Sequence, residues 1–146
     1  MERQFLNVRR VLESVEETRS QVARLRRSVR FLEAKCTSGT SRYGIRGAGD
    51  TAGPEAMWTR LCDQREKLNQ QEKKLADLER LLSRWIDQLP RPRWRMVLRC
   101  RYLDGLALQE VAEELTRATG REFSMHQVYR LHREALGAAE ALWPIS

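Results

Sequence analysis

Apolar residues recur at alternating intervals of three and four from the beginning of the chain. With Val8 at heptad position a, the a and d places run Val8, Val11, Val15, Thr18, Val22, Leu25, Val29, Leu32 and Cys36, with Glu and Arg between them. A 3.5-residue repeat of this length predicts an amphipathic helix of coiled-coil type. Residues 36–53 then hold five of the eight glycines, together with Ser and Thr. Ordering so much glycine costs too much backbone entropy for a helix, so a flexible connection is expected there. A second repeat follows Pro54, a residue suited to the first helical turn, and places Leu61, Leu68, Leu75, Leu82 and Leu89 at a, with Met57, Leu78 and Trp85 at d. Gln64 and Gln71 also fall at d, which predicts a looser or locally polar seam near the start of this helix.

Two helices of roughly 30 residues, each roughly 45 Å long at 1.5 Å per residue, would fold back as an antiparallel hairpin. A lone hairpin buries one stripe per helix. Two hairpins packed into four helices bury more, so a homodimer through the long helices is expected. Pro90-Arg91-Pro92 ends the second helix, because proline cannot continue the hydrogen-bond ladder and disfavours helix at the residue before it. A domain boundary is placed there. Short pieces follow: Trp94 to Tyr102, a turn at Leu103-Asp104-Gly105, a helix from Leu106 to about Thr119 closed by Gly120, and a last helix capped by Ser124 and running to about Leu142. The expected fold is all-α: a long antiparallel coiled-coil-like hairpin over 1–90 and a small helix-turn-helix module over 91–146.

Faces of the last two helices bring in chemistry. Leu108, Val111, Ala112 and Leu115 share one side of the first, while Gln109, Glu110, Glu113 and Glu114 point outward. On the last helix Val128, Leu131, Ala135, Ala139 and Leu142 define a buried side, which leaves His126, Arg130, Arg133 and Gly137 opposite it and Gln127 and Tyr129 on the flanks. Arginine, histidine, glutamine and tyrosine near a helix N-terminus have the donors needed to read purine edges in a major groove.

The stretch Leu98-Arg99-Cys100-Arg101-Tyr102-Leu103-Asp104-Gly105-Leu106-Ala107-Leu108-Gln109-Glu110-Val111-Ala112-Glu113-Glu114-Leu115, followed by Ser124, Val128 and Tyr129-Arg130-Leu131-His132-Arg133-Glu134-Ala135-Leu136, resembles the helix-turn-helix of sigma factor region 4. The resemblance spans residues 89–142 and places the recognition helix at Ser124 to Leu136. The whole layout is similar to small prophage regulators of late transcription of the ArpU and RinA kind. It implies a sequence-specific regulator of phage or prophage origin that binds double-stranded DNA, with base and backbone contacts from Ser124, His126, Gln127, Tyr129, Arg130 and Arg133. One departure stands out: the eight residues from Thr116 to Phe123 occupy a place where such motifs have a turn of about three. An extra helical turn, a reversal at Gly120 and inward packing of Phe123 are expected to absorb them.

Composition refines this picture. The chain of 146 residues carries a net charge of +7, yet residues 104–146 hold four arginines and seven acids. The positive charge lies around the module, in Arg91, Arg93, Arg95, Arg99 and Arg101 before it and in Arg117 and Arg121 in its turn. Of these, Arg95, Arg99, Arg117 and Arg121 are the candidate phosphate contacts. Residues 1–36 add nine basic and five acidic residues, and Arg24, Arg26, Arg27 and Arg30 read as a solvated coiled-coil face. Trp58, Trp85 and Trp94 read as packing residues, His132 as a structural histidine, and Trp143-Pro144-Ile145-Ser146 as a cover for the module's base.

Cys36, Cys62 and Cys100 form no CxxC pair and read as reduced thiols, and neither His126 nor His132 has ligand-spaced neighbours, so no metal or cofactor is expected. With no GxGxxG, P-loop or GxSxG present, nothing marks an enzyme. No apolar run reaches membrane-spanning length and no signal peptide opens the chain, so a cytoplasmic protein away from the membrane is expected. Two other classes fit the same pattern. One is an adaptor that contacts RNA polymerase or another protein through its helices; the other is a small-terminase-like packaging component, for which a ring of eight or more subunits would be diagnostic.

Overall fold

The computed structural model describes residues 8–38 and 53–142, and it is helical, with no strand among those residues. Five α-helices follow in order: α1 (Val8–Ser38), α2 (Pro54–Asp87), α3 (Pro92–Leu98), α4 (Leu108–Thr119) and α5 (Met125–Leu142). A π-helical turn, Arg99–Leu103, extends α3. The described residues form two compact units: one contains 8–17 and 76–142, the other 18–38 and 53–75.

In the unit from Thr18 to Leu75, α1 and α2 pair antiparallel within one chain. Arg65 pairs with Glu33 at 2.8 Å and Arg26 with Glu72 at 3.2 Å. Val29, Leu32 and Leu61 are buried between the helices, with Cys36 and Leu68 packed against them. The seam is polar where glutamines occupy d: Ser28 Oγ donates to Gln64 Oε1 at 3.4 Å, and Gln71 Oε1 is buried without a donor among the described residues. Two expectations change here. Helix α1 continues through Cys36, Thr37 and Ser38, because Cys36 extends the apolar seam and Thr37 Oγ1 donates back to the Glu33 carbonyl at 2.9 Å. The rest of the expected connection, 39–52, lies outside the described residues. Trp58 is not a packing residue: it is 55% exposed, with the Arg65 guanidinium 5.9 Å from its ring centroid. It falls at heptad position e, beyond the edge of the buried stripe.

In the other unit Val8, Val11, Leu12 and Val15 of α1 are buried, as are Leu78, Leu82, Trp85, Ile86 and Leu89 of the second long helix and its end. Helix α3 packs chiefly on α5, and α4 packs on α3 and α5. Their shared core is Val97, Cys100, Val111, Ala112, Leu115 and Val128. Trp85 Nε1 donates to the Ala139 carbonyl at 3.1 Å, Arg9 pairs with Glu140 at 3.2 Å, and Arg101 pairs with Glu16 at 2.9 Å. The division expected at residue 90 therefore falls inside a compact unit, since the ends of both long helices bury against the short-helix module. Among the described residues no helix is long and apolar enough to cross a membrane.

Candidate nucleic-acid interface

Helix α4 begins after Ala107, whose N–H donates to Glu110 Oε1 at 3.0 Å. Its end is set by Gly120, at φ +75°, a left-handed conformation that an L side chain would strain. The N–H of Gly120 returns to the Thr116 carbonyl at 2.8 Å. Two threonines then staple the long turn. Thr116 Oγ1 donates to the Ala112 carbonyl at 2.9 Å and accepts the Phe123 N–H at 3.3 Å, while Thr119 Oγ1 donates to the Leu115 carbonyl at 2.7 Å and accepts the Arg121 N–H at 3.3 Å. Phe123 packs against the core, and Arg93 lies over its ring at 5.4 Å. The inserted residues thus form an extra helical turn and an inward-facing anchor, as their composition predicts. The apolar pattern does not mark the threonine staples; the sequence signal is hydroxyl residues in a last helical turn, where they can bond the carbonyl four residues back.

Helix α5 opens with a reciprocal capping box. Ser124 Oγ accepts the Gln127 N–H at 3.2 Å, and Gln127 Oε1 accepts the Ser124 N–H at 2.9 Å. Gln127 therefore spends its side-chain carbonyl on the cap and keeps its NH2 for outside partners. Replacing Ser124 by alanine is expected to cost about 1 kcal/mol of stability, with Ser124→Asp retaining most of it, in urea denaturation followed by circular dichroism. An unchanged midpoint for Ser124→Ala would rule out the cap as a stabilising element.

Val128, Ala135 and Ala139 are fully buried and Leu131 packs against the core, so the opposite side of α5 faces outward. His126, Arg130 and Arg133 are exposed on it, and Tyr129 is 50% exposed. Neither Arg130 nor Arg133 has an ion pair among the described residues. Beside the cap, an open groove of about 810 Å³ is lined by Gln109, Glu113, Thr116 and Arg117 of α4 and by Ser124 and Gln127.

The four candidate phosphate contacts separate. Arg117 and Arg121 are exposed in the last turn of α4 and just past it; Arg117 pairs with Glu114 of its own helix, a surface pair that is easily exchanged. Arg95 and Arg99 are half-buried instead. Arg95 donates to the Leu89 carbonyl and Arg99 pairs with Asp87, so both hold the segment that leaves α2.

His132 and Tyr102 share a 2.8 Å hydrogen bond with their rings stacked. Burial, then the positive Arg101, pushes the histidine pKa below its ordinary value, against an opposing contribution from Glu16. The folded chain thus disfavours the protonated form of His132, while the unfolded chain binds its proton from about pH 6.5 downward. Stability is expected to decline as pH falls from about 7 to 5, with a smaller decline for His132→Gln. Urea titrations across that range test it, and equal slopes for both chains would exclude His132 as a contributor. Cys100, buried in the same unit, has its thiol pKa raised first by burial. No group of His, Cys, Asp and Glu able to hold a metal occurs among the described residues. Trp143 to Ser146, expected to cover the module's base, lie outside the described residues. Comparison of the chain with family models, curated proteins and solved structures finds no match.

Proposed function

We propose that this chain is a sequence-specific DNA-binding transcriptional regulator of phage or prophage origin, with a helix-turn-helix similar to sigma factor region 4 and α5 as its reading helix. The observation that carries this reading is the outward side of α5. It offers His126, Arg130 and Arg133, the arginines without an ion pair among the described residues, on a helix held by a capped start and a buried opposite side. A guanidinium presented this way can fork to the O6 and N7 of guanine, and the Gln127 NH2 and Tyr129 hydroxyl can donate to base or backbone. Arg117 and Arg121, at the turn, supply phosphate contacts that set register. The long helices give the regulator a dimerisation surface, so two reading helices address two half-sites.

Selection of genomic fragments by the purified protein, with binding repeated across a salt series, tests this. One enriched motif whose affinity falls steeply with salt supports the regulator; uniform weak enrichment with a shallow slope overturns it. A second reading draws on the outward acids of α4, Glu110 and Glu113, and on the excess of acids in residues 104–146. They favour an adaptor whose module contacts protein, RNA polymerase among the possible partners, and the shallow-slope outcome would point to it.

A further inference from the structure

The hairpin formed by Thr18 to Leu75 has two flanks of different electrical character. On one flank the heptad e positions of the two helices meet and their charges are matched, Arg26 to Glu72 and Arg65 to Glu33. The other flank is built by the g positions. On α2 these are Arg60, Lys67 and Lys74, all exposed and all without an ion pair among the described residues. From α1, Arg24 joins them at position c, exposed and likewise without an ion pair, and the Lys35 ammonium lies 5.3 Å from the centroid of the exposed Phe31 ring. Among the described residues one acid, Asp63, stands with these cations, and α1 has no acid between Glu17 and Glu33.

Heptad spacing sets the α2 cations about 10.5 Å apart along a line of about 21 Å. Duplex DNA carries one negative charge per about 1.7 Å of its axis, so a strip of that length faces on the order of ten phosphates. A lipid surface would call for a broad apolar face, and a groove-seeking protein partner for a row of apolar anchors. Among the described residues, the exposed large apolar side chain of this flank is Phe31.

We propose that the Arg60–Lys67–Lys74 flank, with Arg24, is a second DNA contact that holds duplex phosphates irrespective of base sequence. It rests on the DNA-binding reading above and adds a component that is read in the salt dependence, whereas α5 is read in base discrimination. The test compares the full-length protein with R60Q/K67Q/K74Q and with K73Q/R80Q/R84Q, which removes the same charge elsewhere on α2. Binding to the selected duplex and to a scrambled duplex is measured from about 50 to 200 mM salt, and thermal melts establish that all three chains fold.

Losing three phosphate contacts is expected to lower the slope of log K against log salt by about 2.7, so that the wild-type advantage shrinks about 40-fold across the series on both duplexes. The control should keep the wild-type slope. Equal slopes for the two triple variants overturn the proposal, and leave the α5 reading in place if Arg130→Ala still loses base discrimination. A wild-type protein without salt-dependent binding to either duplex overturns both. An unchanged DNA slope with loss of binding to polyglutamate, used as an acidic polypeptide probe, overturns it in favour of a protein-facing flank.

Discussion

Truncating Trp85 to alanine is expected to destabilise the chain by about 3–5 kcal/mol, the largest effect of any single substitution considered. Trp85 is completely buried near the end of α2, and its indole N–H satisfies the carbonyl of Ala139 in α5 at 3.1 Å. Alanine would leave a cavity the size of an indole and a buried carbonyl without its donor, and the two costs add. Trp85→Phe separates them: it keeps most of the apolar volume, loses the hydrogen bond, and should fall between alanine and wild type. Urea denaturation followed by circular dichroism measures all three. A loss below about 1 kcal/mol for alanine would mean that the end of α2 is not integral to the unit carrying α5.

Arg130→Ala is expected to weaken binding to the selected DNA site by about 1–3 kcal/mol, roughly 5- to 150-fold, with much less change on scrambled duplex. Arg130 is exposed, has no ion pair among the described residues, and sits on the side of α5 opposite its buried stripe. Nothing internal is lost with it, so the folded chain should melt as before. Two comparisons give the result its meaning. Arg121→Ala should weaken both duplexes alike and lower the salt slope by about 0.9, the signature of a phosphate contact. Arg95→Ala should leave the affinity unchanged, since its guanidinium is half-buried and donates to the Leu89 carbonyl. Equal affinity of Arg130→Ala and wild type for the selected site would remove this residue from the proposed reading surface.

Most of the local structure could be read directly from residue order. The heptads of α1 and α2, the start at Pro54, the stop before Pro90, the reversal at Gly120 and the cap at Ser124 all depend on residues within one or two turns of one another. For the same reason the outward side of α5 was legible: once Val128, Ala135 and Ala139 define the buried stripe, helical geometry leaves His126, Arg130 and Arg133 opposite it. The fate of the other arginines was not legible in this way. Arg95 and Arg99 looked identical to Arg117 and Arg121 in the sequence, yet the first two are half-buried, Arg95 on the Leu89 carbonyl and Arg99 beside Asp87, while the other two are exposed.

The sequence by itself determined the helices, their caps and the periodic faces, because these arise from backbone geometry and side chains only a few positions apart. Tertiary structure decided that the ends of the long helices belong with the short-helix module, through pairs such as Trp85 with Ala139 and Arg9 with Glu140. It also decided that Trp58 stays outside the seam, that Tyr102 is the partner of His132, and that Arg26 and Arg65 meet Glu72 and Glu33 along one flank of the hairpin. Each of these depends on which distant residues share a buried or charged surface. Burial and pairing act through space, so a pattern that repeats along the chain determines which face a residue occupies but not what that face will meet.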